Sequence, residues 1–262
     1  MLRAFFCLLL VIPSLSYAKE CTRLTVSSNP EYPPYLWQTN TQPIQLAGLL
    51  VSFSERISKV SGIDIDVVYA GPWLRTQSQI HDGNIDLIAV FYTEDRTSWL
   101  DYLHPELIKT DTAVWVNKSK KFDFKTWEDL KGYSGLTVLG HSLGQEFDDY
   151  ATEHLTLNKV SSIHQALKML EEKRVDYLVY ARAPGEAYAL QLGTQDVVTL
   201  PMPVSTELVY LALSKNSKCN TPRVREKLNA ALRQAVDENW PEALTVEAQN
   251  EWKTRQEMLK NR

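Results

Sequence analysis

Two short stretches carry the residue types best suited to chemistry. The first is Ile85 to Arg96, IDLIAVFYTEDR, an apolar run that ends in polar and charged residues. A guanidinium such as that of Arg96 holds a carboxylate or phosphate through two parallel charge-assisted bonds, and the carboxyl end of a parallel strand is where open α/β sheets bind ligands. Taken alone, the plainer reading of Arg96 is a solvated helix-start charge paired to Glu94 or Asp95. The second stretch is Gly140-His141-Ser142-Leu143-Gly144, a G-x-S-x-G pattern. As a nucleophile elbow it would aim Ser142 at an ester carbonyl, with a histidine as base and an acid behind it. That order needs an acid and then a histidine after the serine. Only His154 and His164 follow, close behind, and no H-G-G precedes to build an oxyanion hole. The same turn also reads as an anion nest, where backbone N–H groups at a helix start and Ser142 Oγ receive a carboxylate. A plain helix cap is the third reading.

The elements around these stretches must place them. Ile85 to Tyr92, with Phe91 near its end, fits a strand covered on both faces, and Thr93 opens a helix as its N-cap. Trp73 to His81 is a helix that returns through Asp82-Gly83-Asn84, with Trp73 a packing residue and Arg75 a solvated or pocket-rim charge. Gly135 to Leu139 is the strand that feeds the second stretch. Upstream, the strand Arg23 to Ser28 leads into a proline-restricted loop, Asn29 to Trp37, that presents Tyr32, Tyr35 and Trp37 at low entropic cost, facing either a ligand or the core. Helical stripes occupy Gly48–Ser61, Val160–Lys173, Pro222–Glu238 and Trp240–Leu259, and strands Ile63–Tyr69, Thr112–Val116, Val175–Tyr180, Thr194–Leu200 and Leu208–Leu213.

Composition bounds the partners. Acidic residues outnumber basic ones, 32 to 28, for a net charge of −4, which argues against nucleic acid. Arg3, the apolar run Ala4 to Ile12 and the small residues Ser16 and Ala18 read as a secretory signal cleaved after Ala18. Cys7 lies inside the apolar run and is followed by leucines, which disfavours a lipoprotein anchor. Cys21 and Cys219 then remain; in an oxidising compartment the pair stands to form a disulfide that closes a long loop for ~4–5 kcal/mol, the alternative being two separate buried thiols. Histidines 81, 104, 141, 154 and 164 form no metal-ligand pattern, and no cofactor is expected.

The order Pro72-Trp73-Leu74-Arg75, Gly83-Asn84-Ile85-Asp86 and Thr93-Glu94-Asp95-Arg96 resembles the periplasmic solute-binding proteins of the amino-acid type, the extracellular family 3, in a branch that carries Pro-Trp-x-Arg. Tyr32-Pro33-Pro34-Tyr35, Gly140 to Glu146 and Val175-Asp176 to Val179 match further motifs of that family in order. The resemblance implies a two-lobed α/β fold of the type II periplasmic-binding class, each lobe a mostly parallel sheet flanked by helices, with two hinge crossings. It implies a signal peptide over residues 1–18, lobe one over 19–111 and 206–262, and lobe two over 112–205. Arg96 would grip a ligand carboxylate, Tyr32 or Tyr35 would lay a ring against it, and the turn with Gly140 and Ser142 would receive it from the other lobe. Phe91, Thr93 and Tyr180 complete the expected ligand-binding set. Two departures stand out. The family's G-F-D after the first loop is Gly48-Leu49-Leu50, and the aspartate that pairs with an α-ammonium is replaced by Ala181, followed by Arg182. An ammonium would need Glu186, Tyr180 or another group, or the ligand carries none. The implied function is a periplasmic, monomeric, non-enzymatic receptor for a small carboxylate-bearing solute, delivering to the permease subunits of an ABC importer. A ligand-sensing protein of the same fold is the alternative, and a serine hydrolase using Ser142 a distant one.

Overall fold

A computed structural model describes residues 21–39 and 41–260; the expected signal peptide lies outside them. In chain order the strands and helices are β1 (Arg23–Ser27), β2 (Glu31–Tyr32), β3 (Leu36–Gln38), β4 (Leu46–Ala47), α1 (Leu49–Ser61), β5 (Asp64–Val67), α2 (Trp73–His81), β6 (Leu87–Phe91), β7 (Leu100–Tyr102), β8 (Ile108–Asn117), β9 (Gly135–Val138), α3 (Gln145–His154), β10 (Leu157–Val160), α4 (Ile163–Glu171), β11 (Tyr177–Ala181), α5 (Arg182–Leu192), β12 (Val197–Ser214), α6 (Pro222–Asp237) and α7 (Trp240–Lys260).

Eight strands follow one another in the order β10-β9-β11-β8-β12-β6-β1-β5, with β7 paired to β12, and β2-β3-β4 form a separate small sheet. At one end β5, β1 and β6 run parallel. At the other, β10, β9 and β11 do the same. The two parallel groups are joined by the long antiparallel pair of β8 and β12. In that pair Thr112 lies opposite Ser205 and Asp111 opposite Thr206, so the two passages of the chain between the groups run side by side.

Helices cover each group because their apolar stripes demand it. In α1 the buried positions Leu49, Leu50, Phe53 and Ile57 form one face, each worth about 1.5–3 kcal/mol of burial. Leu228, Leu232 and Trp252 of α6 and α7 belong to the same core. The far group has its own cluster, built on Val114, Val116, Phe147, Tyr177 and Val179. Cys21 and Cys219 are joined, Cα to Cα 5.5 Å, tying the chain just before β1 to the loop before α6.

Several sequence expectations change here. The strands expected at Thr194–Leu200 and Leu208–Leu213 are one strand, β12, whose register with β8 shifts on both sides of Pro203. Proline has no N–H for the ladder, so Pro201 and Pro203 sit where pairing is irregular instead of ending the strand. The helix expected from Val160 begins at Ile163, where Ser162 accepts the Gln165 N–H at 3.2 Å. Leu157 to Val160 is instead the edge strand β10. The helix expected to open at Thr93 is a single 3-10 turn, Asp95–Ser98.

Candidate functional site

The site is assembled at the carboxyl ends of the parallel strands, where backbone groups and the following loops converge. β1 leads to Ser28 and Asn29, β6 to Arg96, and β9 to His141 and Ser142. Together with Tyr32, Tyr35, Trp73, Phe91 and apolar residues that include Leu50, Ile108 and Val209, they line a cavity of about 70 Å³.

Arg96 is the cation of this cavity and is only 6% exposed. One guanidinium nitrogen donates to the Phe91 carbonyl at 3.1 Å and the other to Gln77 Oε1 at 3.2 Å. Its Cζ lies 6.0 Å from the centre of the Trp73 ring. These neutral partners hold the side chain in place but do not neutralise it. Among the described residues no carboxylate forms an ion pair with Arg96, and burial pushes its pKa down. A buried cation with donors to spare is a costly arrangement that an incoming anion relieves. The reading of Arg96 as a solvated partner of Glu94 or Asp95 does not hold, because its side chain is buried with Phe91 and Gln77. Its own N–H donates to Thr93 Oγ1 at 3.3 Å: Thr93 braces the turn from behind the cavity wall.

The opposite wall comes from the loop after β9. Gly140 has φ +78°, and a side chain there would meet Leu74 Cδ2 at 2.5 Å. Gly144 has φ +104°, and a Cβ would strike the Glu207 carboxylate. Both glycines of the G-x-S-x-G pattern are therefore favoured by their left-handed backbone conformation, the close contacts being with flexible side-chain ends. Ser142 Oγ donates to Asp148 Oδ2 at 2.6 Å, and the same carboxylate accepts the Leu143 N–H at 3.0 Å. The turn thus already holds an anion, supplied by the first turns of α3. Burial raises the Asp148 pKa, while Ser142, the Leu143 N–H and the Arg96 charge pull it back. Ser142 donates its hydrogen bond to a carboxylate and the adjacent imidazole pairs with Asn29, so serine, imidazole and acid are not aligned as a nucleophile elbow requires.

His141 is that imidazole. Its Nε2 lies 3.1 Å from Asn29 Nδ2. The Glu31 N–H donates to Asn29 Oδ1 at 3.0 Å, which turns the amide NH2 toward the ring; the network therefore assigns Nε2 as acceptor and the proton to Nδ1. Tyr180, Tyr32 and Trp73 surround the ring at centroid distances of 5.2, 5.7 and 6.5 Å. Burial first, and the Arg96 charge second, depress its pKa to about 4. Tyr32 is itself shifted upward by burial.

The two walls touch directly. Trp73 Nε1 donates to the Gly140 carbonyl at 2.8 Å and Gln77 Nε2 to the same oxygen at 3.4 Å. Glu94 N–H donates to Gln145 Oε1 at 3.1 Å.

Of the residues singled out from sequence, Tyr32, Tyr35, Phe91, Arg96 and Ser142 line the cavity. Thr93, Gly140 and Tyr180 stand in the layer behind it, bracing Arg96, Trp73 and the His141 ring. Arg182 points elsewhere, donating to Thr199 Oγ1 at 2.7 Å, and Arg75 is exposed. Asn29, Trp73 and His141 are cavity-lining residues that sequence reasoning did not select. Among the described residues no cluster of three His, Cys, Asp or Glu can hold a metal ion, and no helix is long and apolar enough to cross a membrane.

A family model, bacterial extracellular solute-binding proteins, family 3, matches residues 24–247. The chain belongs to this family. A search among curated proteins returned no match. Among solved structures, a histidine kinase sensor domain with similarity to periplasmic binding proteins superposes with a TM-score of 0.71 at 18% identity, covering 86% of this chain and 95% of that one. An amino acid ABC transporter substrate-binding protein from Streptococcus pneumoniae, bound to L-arginine, gives 0.71 at 14% identity, covering 88% and 96%. An ancestral arginine-binding protein bound to arginine gives 0.70 at 22% identity, covering 86% and 97%. At these identities the likeness speaks for the fold, which is the two-lobed type II periplasmic-binding fold. As a family 3 solute-binding protein, the chain sets its strand-end cavity between the two parallel groups of strands.

Proposed function

We propose that this solute-binding protein captures a small carboxylate-bearing solute between its lobes, with Arg96 as the partner of the carboxylate. The observation that carries the reading is the buried guanidinium without a carboxylate partner, lining a cavity otherwise walled by tyrosines, tryptophan and aliphatic side chains. Lobe one takes residues 19–111 and 206–262 and lobe two 112–205; the side-by-side pairing of Thr112 with Ser205 supports that division. A ligand touching Arg96 from one lobe and the loop of His141 and Ser142 from the other stabilises the closed form, because both contacts exist only when the lobes meet. The protein acts as a monomer in the periplasm, exported by the segment ending at Ala18, and presents its closed form to the permease subunits of an ABC importer.

A second reading shares the site and changes the partner. The likeness to a histidine kinase sensor domain favours a ligand-sensing role, in which the closed form is read by a signalling protein instead of a permease.

The test is thermal unfolding of the mature protein against a panel of amino acids, deaminated acids, dicarboxylates and short peptides, since a ligand that binds the folded form raises the midpoint by mass action. A rise with one class of carboxylate, lost in Arg96→Ala, is the expected result. A rise that persists in Arg96→Ala removes Arg96 from the site.

A further inference from the structure

The lining of the cavity says more about the solute than that it carries an anion. We infer that the solute is a monocarboxylate without an ammonium group, whose remainder is uncharged and apolar; this deepens the carboxylate reading above and rests on it.

Electrostatics comes first. Among the described residues that line the cavity, Arg96 is the sole cation and none is an aspartate or glutamate. An α-amino acid brings one negative and one positive charge into the same small space. Its carboxylate meets Arg96, but its ammonium finds no anion and stands close to the guanidinium, which repels it. Two carboxylates outside the lining are paired with other groups. Asp148 accepts from Ser142 and the Leu143 N–H, and Asp111 accepts from Thr206 at 2.8 Å and lies 3.9 Å from Arg182.

Hydrogen-bonding capacity points the same way. Most polar side chains of the lining already spend their donors on the protein: Ser28 on the Ala89 carbonyl at 2.7 Å, Tyr35 on Thr110 Oγ1 at 3.3 Å, Trp73 on Gly140, and Ser142 on Asp148. Asn29 donates to His141 Nε2, which leaves the His141 Nδ1–H and the Tyr32 hydroxyl as neutral polar groups of the lining. Arg96 alone keeps several donors in reserve, with two partners for five N–H groups. The cavity therefore offers strong recognition at one end of a ligand and rings with aliphatic side chains at the other. A methylated ammonium would use those rings, yet the Trp73 ring already carries the Arg96 guanidinium on its face, and that charge repels a second cation beside it.

The test is calorimetric titration of the mature protein with matched pairs: isovalerate against L-valine, and hydrocinnamate against L-phenylalanine, with glycine betaine as a third arm. At least one deaminated acid is expected to bind, with its amino acid at least about tenfold weaker, because the added ammonium is buried without a counter-charge. Equal or tighter binding of the amino acid, tighter binding of betaine, or no binding of either deaminated acid at millimolar concentration overturns the inference. Repeating the titrations with Arg96→Met separates it from the reading it rests on. Amino-acid binding that disappears in the variant overturns only the absence of an ammonium; amino-acid binding that persists there overturns the carboxylate reading as well.

Discussion

Trp73 Nε1, at the start of α2, donates to the carbonyl of Gly140 in the loop after β9, 2.8 Å away. This bond joins the two walls of the cavity, and the Arg96 guanidinium lies over the face of the same indole. On the proposed reading, one side chain thereby links closure of the lobes to the position of the ligand's charge partner.

Removing that link costs affinity more than fold. Trp73→Phe keeps a ring beside Arg96 and loses the bond to Gly140, so solute binding is expected to weaken by about 1 kcal/mol, roughly fivefold. Calorimetric titration of the wild type and the variant measures it. Identical affinities would mean that the bond contributes nothing to the closed form.

Asp148 fills the turn that sequence alone offers to a ligand anion. Asp148→Asn leaves the Leu143 N–H and Ser142 Oγ with a weaker acceptor, so stability is expected to fall by about 1–2 kcal/mol. Urea unfolding measures the loss. A variant as stable as the wild type would show that the turn holds itself without the carboxylate.

His141 gives the protein a pH dependence of definite sign. In the unfolded chain a histidine titrates near 6.5; in the folded chain this one is held down to about 4. Between those values the unfolded chain binds more protons, so this contribution is fully present above about 6.5 and is lost as pH falls toward about 4. The groups that face the ring agree with this direction. Asn29 presents an NH2 to Nε2, Arg96 is a cation, and Tyr32, Tyr180 and Trp73 are neutral. Unfolding free energies measured across this window should decline on acidification by up to about 3 kcal/mol, and the decline should flatten in His141→Gln. An equal slope in both proteins would assign the effect to other groups.

The disulfide acts on the unfolded chain and leaves the site alone. Replacing Cys21 and Cys219 by serine opens a loop with a sequence separation of 198, for an expected loss of about 4–5 kcal/mol in the loop-closure account. Solute affinity should stay unchanged, since neither residue lines the cavity. Titration beside thermal unfolding of the double variant checks both halves.

Periodicity and strand-end logic carried the fold a long way, because they depend on neighbours in sequence. The run Leu87–Phe91 is a strand buried on both faces, α1 follows its apolar stripe, and Arg96 lies where an arginine after such a strand should lie. The misjudged elements turn on long-range pairing. Pro201 and Pro203 look like the end of a strand until β8 is set beside them with a shifted register, and β10 is a short edge strand whose partner is β9. Within the site, His141, Asn29 and Trp73 were hidden for the same reason, since the Asn29 to His141 bond joins residues 112 apart. Asp148 left a readable signal: an acid near the start of the helix after a glycine turn is the usual way for a chain to cap itself.

Arg96 is buried with no carboxylate in ion-pair contact among the described residues, which on the proposed reading reserves it for a ligand carboxylate. The most direct measurement keeps the protein unchanged and alters one group of the ligand, comparing hydrocinnamate with its uncharged primary amide by calorimetric titration, with isovalerate and its amide as a second pair. The account predicts that an acid binds and that its amide is weaker by at least about 2 kcal/mol, since the amide leaves the guanidinium unpaired in a closed cleft. An amide that binds as tightly as its acid would contradict it.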